Sequence, residues 1–121
     1  MSIGIVLYNI VYRIFYLYVR VLMVGKGKSK KRLTEQEHAI LKIFAADLAA
    51  ERNAQDKTQM EMAISMNTHT YYLSRVEGGT MEPGLIKFLY LAAALGKTPQ
   101  ELLKNTWPAF LEHYNKMQSK G

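Results

Sequence analysis

Residues 58–79, which read TQMEMAISMNTHTYYLSRVEGG, constrain the fold more than any other stretch of the chain. Thr58 and Glu61 have the spacing of a capping box, in which a hydroxyl and a carboxylate satisfy free N–H groups at the start of a helix. Asn67 tolerates the left-handed backbone conformation that a sharp turn between helices needs. The stretch therefore predicts one short helix before Asn67 and a second from near His69 to the paired glycines at its end.

Two short helices that cross steeply must approach closely, so a small side chain is needed where they touch. Ala63 is placed for that contact, while Leu73 and Val76 are spaced to point back to Met62 and Met66. This is the helix-turn-helix arrangement, in which the second helix keeps an outward face. By helical spacing, that outward face carries Thr70, Tyr71, Ser74 and Arg75.

Helical periodicity continues on both sides of this stretch. Thr34 and Glu37 repeat the capping-box spacing and open a helix predicted over about residues 34–53. A later amphipathic helix is predicted to end at Gly96, and Pro99 stands at the first position of another capped helix. The apolar positions that define the two longer helices are Ile40, Leu41, Phe44, Ala45 and Leu48, then Leu85, Phe88, Leu89, Ala92 and Leu95. Because no stretch after residue 33 alternates like a strand, the fold is predicted to be all-α.

Positive charge is concentrated at the N-terminal end of the chain. The net charge is +6, yet residues 1–33 hold seven basic residues and no acidic one. Residues 34–121 contain nine basic and ten acidic residues, so the positive net charge does not belong to the helical part. Composition divides the chain into an apolar segment (1–24), a flexible basic arm (25–33), a helical domain (34–104) and a C-terminal tail (105–121).

The helical part resembles one known family over most of its length. From Gln59 through Leu103, without a gap, the segments TQMEMA, YLSRVEGG and EPGLIKFLYLAAALGKTPQELL are similar to the lambda-repressor-like (Xre/Cro/C1) helix-turn-helix family. Upstream, KSKKRLTEQE is similar to the basic arm and first-helix start of the phage lambda repressor. The resemblance covers residues 28–103 and implies a five-helix DNA-binding domain.

The resemblance also implies roles for individual residues. Gln59 would contact a DNA phosphate and brace the second helix of the motif. That helix would contact base edges through Thr70, Tyr71 and Arg75. Flanking contacts would come from His69 and Ser74. The arm would supply phosphate contacts through Lys28, Lys30, Lys31 and Arg32. Tyr71 is bulkier than the common residue at its position, so the family's base preference does not carry over.

Five residues outside the outward face of the motif also bear on the resemblance. Arg52 and Glu77 stand where many family members hold a buried ion pair, which implies a structural role for Arg52. Asp56 and Lys57 replace the apolar-containing turn that usually precedes the second helix, and Thr68 replaces a usual apolar residue.

Residues 1–24 are nearly all apolar or tyrosine and allow three interpretations. Thirteen Ile, Val, Leu and Phe residues favour membrane insertion, whereas Arg13 near the middle of a span opposes it by ~2.5–3.5 kcal/mol. On a helix, one stripe would hold Asn9, Arg13, Tyr16 and Arg20, which suits an interfacial helix or a packed bundle. Alternatively, translation begins at Met23 and leaves a plain basic arm.

Chemistry other than binding finds no support in the sequence. The chain has no cysteine, its three histidines are far apart, and no catalytic constellation occurs. We therefore expect neither an enzyme nor a cofactor, a metal ion or a small-molecule substrate.

These features favour a sequence-specific transcription regulator in the cytoplasm, associated with the nucleoid and acting as a repressor. Its partner would be double-stranded DNA, and because one reading helix spans only a few base pairs, a homodimer on a two-fold operator is expected. Pro108 would open a tail helix whose apolar stripe either pairs two copies or packs on its own domain. The alternative is a protein-interaction adaptor that residues 1–24 tether to the membrane.

Overall fold

All regular elements of the described residues, 3–24 and 32–120, are α-helices in the computed structural model of the chain. They are α1 (Ile3–Val24), α2 (Glu35–Ala54), α3 (Gln59–Ser65), α4 (Thr70–Glu77), α5 (Leu85–Ala94), α6 (Pro99–Leu102) and α7 (Thr106–Ser119). The prediction of an all-α fold is confirmed. Helices α2–α6 form the expected five-helix body. The additional C-terminal helix is α7, which begins at Thr106 and not at the predicted Pro108.

Two compact units divide the chain after Arg32. The first contains α1, whose described side chains, residues 3–18, are all exposed. Within the described ranges, no helix has both the length and the apolar character needed to span a membrane. The second unit contains α2–α7 and the hydrophobic core.

Threonine caps set the starts of three helices in the second unit. The Thr34 hydroxyl accepts a hydrogen bond from the Glu37 N–H at 3.1 Å, and a Glu37 carboxylate oxygen accepts one from the Thr34 N–H at 2.8 Å. This is the predicted capping box, and α2 begins directly after it. The hydroxyls of Thr58 and Thr98 accept N–H hydrogen bonds from the residues three positions later, at 3.0 and 3.1 Å.

The core brings together one face from each of α2–α6. Its buried members are Leu41, Phe44, Leu48, Met62, Ala63, Met66, Leu73, Val76, Leu91, Ala92, Leu95 and Leu102. The predicted inward face of α5 is wrong in two positions, because Leu85 is 71% exposed and Leu89 is 43% exposed. Leu91 is fully buried instead. This helix, LIKFLYLAAA, is apolar on nearly every side, so periodicity alone does not define which side packs.

The turn between α2 and α3 is held by contacts to α5. Asp56 has a left-handed backbone with φ 55°, which a short polar residue tolerates. Lys57 Nζ donates to the Ala94 carbonyl at 2.8 Å, and Gln55 Nε2 donates to the Leu95 carbonyl at 2.8 Å. These bonds satisfy carbonyls at the C-terminal end of α5 and replace the usual apolar anchor of this turn.

Gly79 ends the helix-turn-helix stretch. Its replacement by alanine is predicted to lower the free energy of unfolding more than the same replacement at Gly96. Both have a left-handed backbone, with φ 72° and φ 63°, and a Cβ there costs about 1–2 kcal/mol. A Cβ on Gly79 would also lie 3.0 Å from Lys42 Cγ and 3.6 Å from Lys42 Cα, whereas a Cβ on Gly96 meets nothing within 4 Å. Urea unfolding should therefore show a larger loss of unfolding free energy for Gly79→Ala than for Gly96→Ala. Equal losses would mean that Lys42 moves aside freely.

Candidate nucleic-acid interface

Helix α4 has one face anchored in the core and the opposite face open to solvent. Leu73 and Val76 are completely buried, while Thr70, Tyr71 and Ser74 are exposed. Anchoring along its inner face gives a helix of only eight residues a single position on the body. The outward face therefore presents its side chains from a rigid support.

The sharp turn before α4 is built as the sequence predicts. Asn67 has φ 52°, and the Thr68 N–H donates to the Ala63 carbonyl at 2.9 Å. His69 is the N-cap residue of α4, and its side chain makes no capping hydrogen bond. The helix proper begins at Thr70.

Arg75 and Tyr71 form one group on the exposed face. Arg75 Nη1 donates to the Tyr71 hydroxyl oxygen at 3.3 Å, and the guanidinium carbon lies 5.6 Å from the centre of the Tyr71 ring. A guanidinium over an aromatic ring is stabilised by the ring's negative face. One helical turn separates the two residues, so this contact holds the Arg75 cation on the outer side of α4.

A largely buried ion pair ties α4 to α2. Arg52 Nε donates to Glu77 Oε2 at 2.7 Å and Nη2 donates to Glu77 Oε1 at 2.8 Å. The two side chains are only 11% and 6% exposed. Arg52 Nη1 also donates to the Lys57 carbonyl at 2.6 Å, so one guanidinium joins α2, the following turn and α4. The hydrogen bond from Arg52 to Glu77 raises the pKa of the Arg52 guanidinium, which stays charged.

Neither a family model nor a curated protein matches the sequence. Among solved structures, the chain is 33% identical to the restriction-modification controller protein C.AhdI from Aeromonas hydrophila, with a TM-score of 0.52 over 53% of this chain and 97% of that one. The chain belongs to the helix-turn-helix regulators.

Two further regulator structures share the fold at lower identity. The clp gene regulator ClgR from Corynebacterium glutamicum is 21% identical, with a TM-score of 0.54 over 67% of this chain and 87% of that one. The hypothetical transcription factor NHTF from Neisseria is 24% identical, with a TM-score of 0.51 over 64% and 88% of the two chains. In this chain α3 and α4 are the two helices of the motif.

Gln59, at the start of the first motif helix, faces the ion pair. Its Nε2 donates to Glu77 Oε1 at 3.1 Å, and the side chain is half-buried. The structure thus places Gln59 against α4, where it can brace the second motif helix. Its contact with a DNA phosphate stays a prediction.

The other predicted residues divide between the described and undescribed parts of the chain. Thr70, Tyr71, Ser74 and Arg75 share one side of α4. Arg32 is exposed, whereas Lys28, Lys30 and Lys31 lie outside the described residues. Among the described side chains, no group of three or more histidines and carboxylates has a metal-binding arrangement.

Lys87 is a cation beside α4 that sequence reasoning missed. Its Nζ lies 5.5 Å from the centre of the Tyr72 ring and 5.9 Å from that of Tyr90. Tyr72 is half-buried, and burial raises the pKa of its phenol. The one signal in the sequence is a lysine within the otherwise apolar LIKFLYLAAA, but only packing shows that this lysine lies next to α4.

Proposed function

We propose that the protein is a sequence-specific DNA-binding transcription regulator of the lambda-repressor-like group, with α4 as the helix that reads the major groove. One observation carries this function. The side of α4 opposite the core exposes Thr70, Tyr71 and Ser74, while Leu73 and Val76 fix the helix from below. A major groove admits one α-helix, and residues near the start of that helix reach the base edges.

The side chains on α4 supply three kinds of contact. Arg75 would donate to the O6 and N7 atoms of guanine or to a phosphate. Tyr71 would pack on a thymine methyl group, and the Thr70 hydroxyl would bond to either base edge. His69 and Ser74 would flank these contacts, and the second amide hydrogen of Gln59 would be available for a phosphate.

Phosphate attraction must come mainly from outside the helical body. Residues 34–121 carry nine basic and ten acidic side chains, so their summed charge does not attract DNA. The basic arm, with Lys28, Lys30, Lys31 and Arg32 among its cations, would provide the sequence-independent part of binding. Base reading by α4 and charge neutralisation by the arm are therefore separate and separately testable.

We further propose that the protein forms a homodimer that binds a two-fold operator and represses transcription. It would then be associated with the nucleoid in the cytoplasm. Support comes from α7, which contains no fully buried residue. Its exposed apolar stripe comprises Phe110, Leu111, Tyr114 and Met117. A second copy that covered this stripe would bury apolar surface and would set two copies of α4 on one duplex.

Selection of bound sites from random duplexes tests the proposal directly. The wild-type protein should enrich related sites with two-fold symmetry. On such a site Arg75→Ala should weaken binding about 10- to 100-fold and relax the preference at one base pair, as expected for a lost bidentate contact. Lys104→Ala, which removes an exposed cation in the turn between α6 and α7, is the matched control and should change affinity little. Failure of any duplex to be enriched would contradict the function and favour a protein-binding role.

A further inference from the structure

We propose that α1 binds the surface of membranes that contain anionic phospholipids, lying along the headgroup region, and that such binding competes with DNA for the basic tract at residues 26–32. The membrane part is independent of the regulatory function. The competition part rests on the proposed DNA binding.

Helix α1 presents a continuous exposed apolar face along its described side chains, residues 3–18. Its described large apolar and aromatic side chains are 45–78% exposed. Leu7, Val11, Ile14 and Tyr18, spaced by four, three and four, share one side of the helix. An apolar side of this length is unfavourable in water and matches the hydrocarbon boundary of a bilayer.

The opposite side of α1 carries a narrow polar stripe. Asn9, Arg13 and Tyr16, spaced by four and three, form it within the described side chains. Arg13 lies at the middle of this 22-residue helix, so a membrane-spanning orientation would place its guanidinium at the centre of the hydrocarbon. An orientation along the surface instead leaves the stripe among headgroups and water while the apolar side is buried.

Tyrosines mark the border between the two sides of α1. Tyr8, Tyr12 and Tyr16 follow one another at intervals of four, so they form a row that meets the polar stripe at Tyr16. The rings of Tyr8 and Tyr12 stack with their centres 6.4 Å apart. A tyrosine combines an apolar ring with a hydroxyl that needs water or a headgroup, and this residue is enriched at membrane interfaces.

Charge identifies the lipid class. Residues 1–32 contain seven basic and no acidic residues, and five of the basic residues follow α1 directly as the tract at 26–32. Each cation near an anionic surface strengthens binding about fivefold, an effect that a neutral surface lacks. The same five cations are the proposed phosphate-binding arm. Because one tract cannot neutralise two polyanions at once, anionic lipid should displace DNA.

Flotation of the full chain with phosphatidylcholine vesicles, with and without phosphatidylglycerol, tests membrane binding. We expect the protein to float with anionic vesicles, to bind neutral vesicles far more weakly and to be released by alkaline carbonate. Two variants add the same negative charge to opposite sides of α1. Ile14→Glu, on the apolar side, should weaken vesicle binding on the order of 50-fold, whereas Asn9→Glu, on the polar stripe, should weaken it only about fivefold. Circular dichroism of both variants establishes that the helical body is intact.

Equal effects of the two variants would overturn membrane binding through this face. Equal binding to neutral vesicles would overturn the lipid class, and retention after carbonate extraction would overturn the surface orientation. These outcomes do not depend on DNA, so they are distinct from a failure of the proposed function.

A labelled duplex then tests competition. Anionic vesicles should lower the DNA-bound fraction of the wild-type protein but not that of Ile14→Glu, and neutral vesicles should leave both unchanged. Simultaneous binding of vesicle and duplex would refute competition. If no duplex is bound even without vesicles, the regulatory function fails while the flotation result stands.

Discussion

Replacing Arg52 by alanine is expected to remove about 3–5 kcal/mol from the free energy of unfolding, which is a large part of the ~5–15 kcal/mol typical of a domain. The Glu77 carboxylate, which is only 6% exposed in the intact pair, would lose its main partner, and the Lys57 carbonyl would lose a donor. For a domain of this size, such a loss lowers the melting temperature by roughly 15 °C or more. Thermal and urea unfolding measure both quantities.

An exposed ion pair in the same chain provides the control for Arg52. Lys116 Nζ lies 3.0 Å from Glu112 Oε1, but these side chains are about 70% exposed, so Lys116→Ala should change stability by less than ~0.5 kcal/mol. Arg52→Lys keeps the charge but cannot form both bonds to Glu77, and should lie between wild type and Arg52→Ala. A loss below ~1 kcal/mol for Arg52→Ala would show that the pair does not hold α4 on α2.

Neutralising the arm should weaken binding to every DNA sequence. If the five cations at residues 26–32 each neutralise one phosphate, changing all of them to glutamine should reduce the slope of log affinity against log salt by about 4.5. If the two proteins bind equally at 1 M salt, this difference in slope means that the variant binds on the order of 10⁴-fold more weakly than the wild type at 0.1 M salt. Fluorescence anisotropy with specific and random duplexes over a salt series gives both numbers.

The arm and α4 variants should differ in which DNA sequences they bind more weakly, as well as in how much affinity they lose. Arm neutralisation lowers affinity for specific and random duplexes alike, whereas Arg75→Ala mainly lowers affinity for the selected site. Glutamine at Lys116 and Lys120, two exposed cations at the other end of the chain, is the charge control. An unchanged salt slope after arm neutralisation would rule out phosphate binding by the arm.

Local rules account for most of what was predicted correctly. Thr34, Thr58 and Thr98 cap helices at the expected positions, and Asn67 adopts the expected left-handed turn. Each rule acts within about four residues, so a linear sequence contains everything it needs. The exposed side of α4 follows for the same reason, since Leu73 and Val76 define the side that is buried.

The Arg52–Glu77 pair has a different origin. The two residues are 25 positions apart, and nothing in their local pattern joins them. The resemblance to the lambda-repressor-like family supplied the pairing, and the observed bonds at 2.7 and 2.8 Å agree with it.

Charge distribution, helix starts and the sharp turn of the motif were thus readable from the chain alone, because neighbouring residues specify them. Packing decided the buried side of α5, where Leu91 and not Leu89 enters the core, and it brought Lys57 and Gln55 to the end of that helix from about 40 residues away. It also placed Lys87 beside Tyr72. A helix that is apolar on nearly all sides has no local preference for one of them, so the shape of the surrounding core makes the choice.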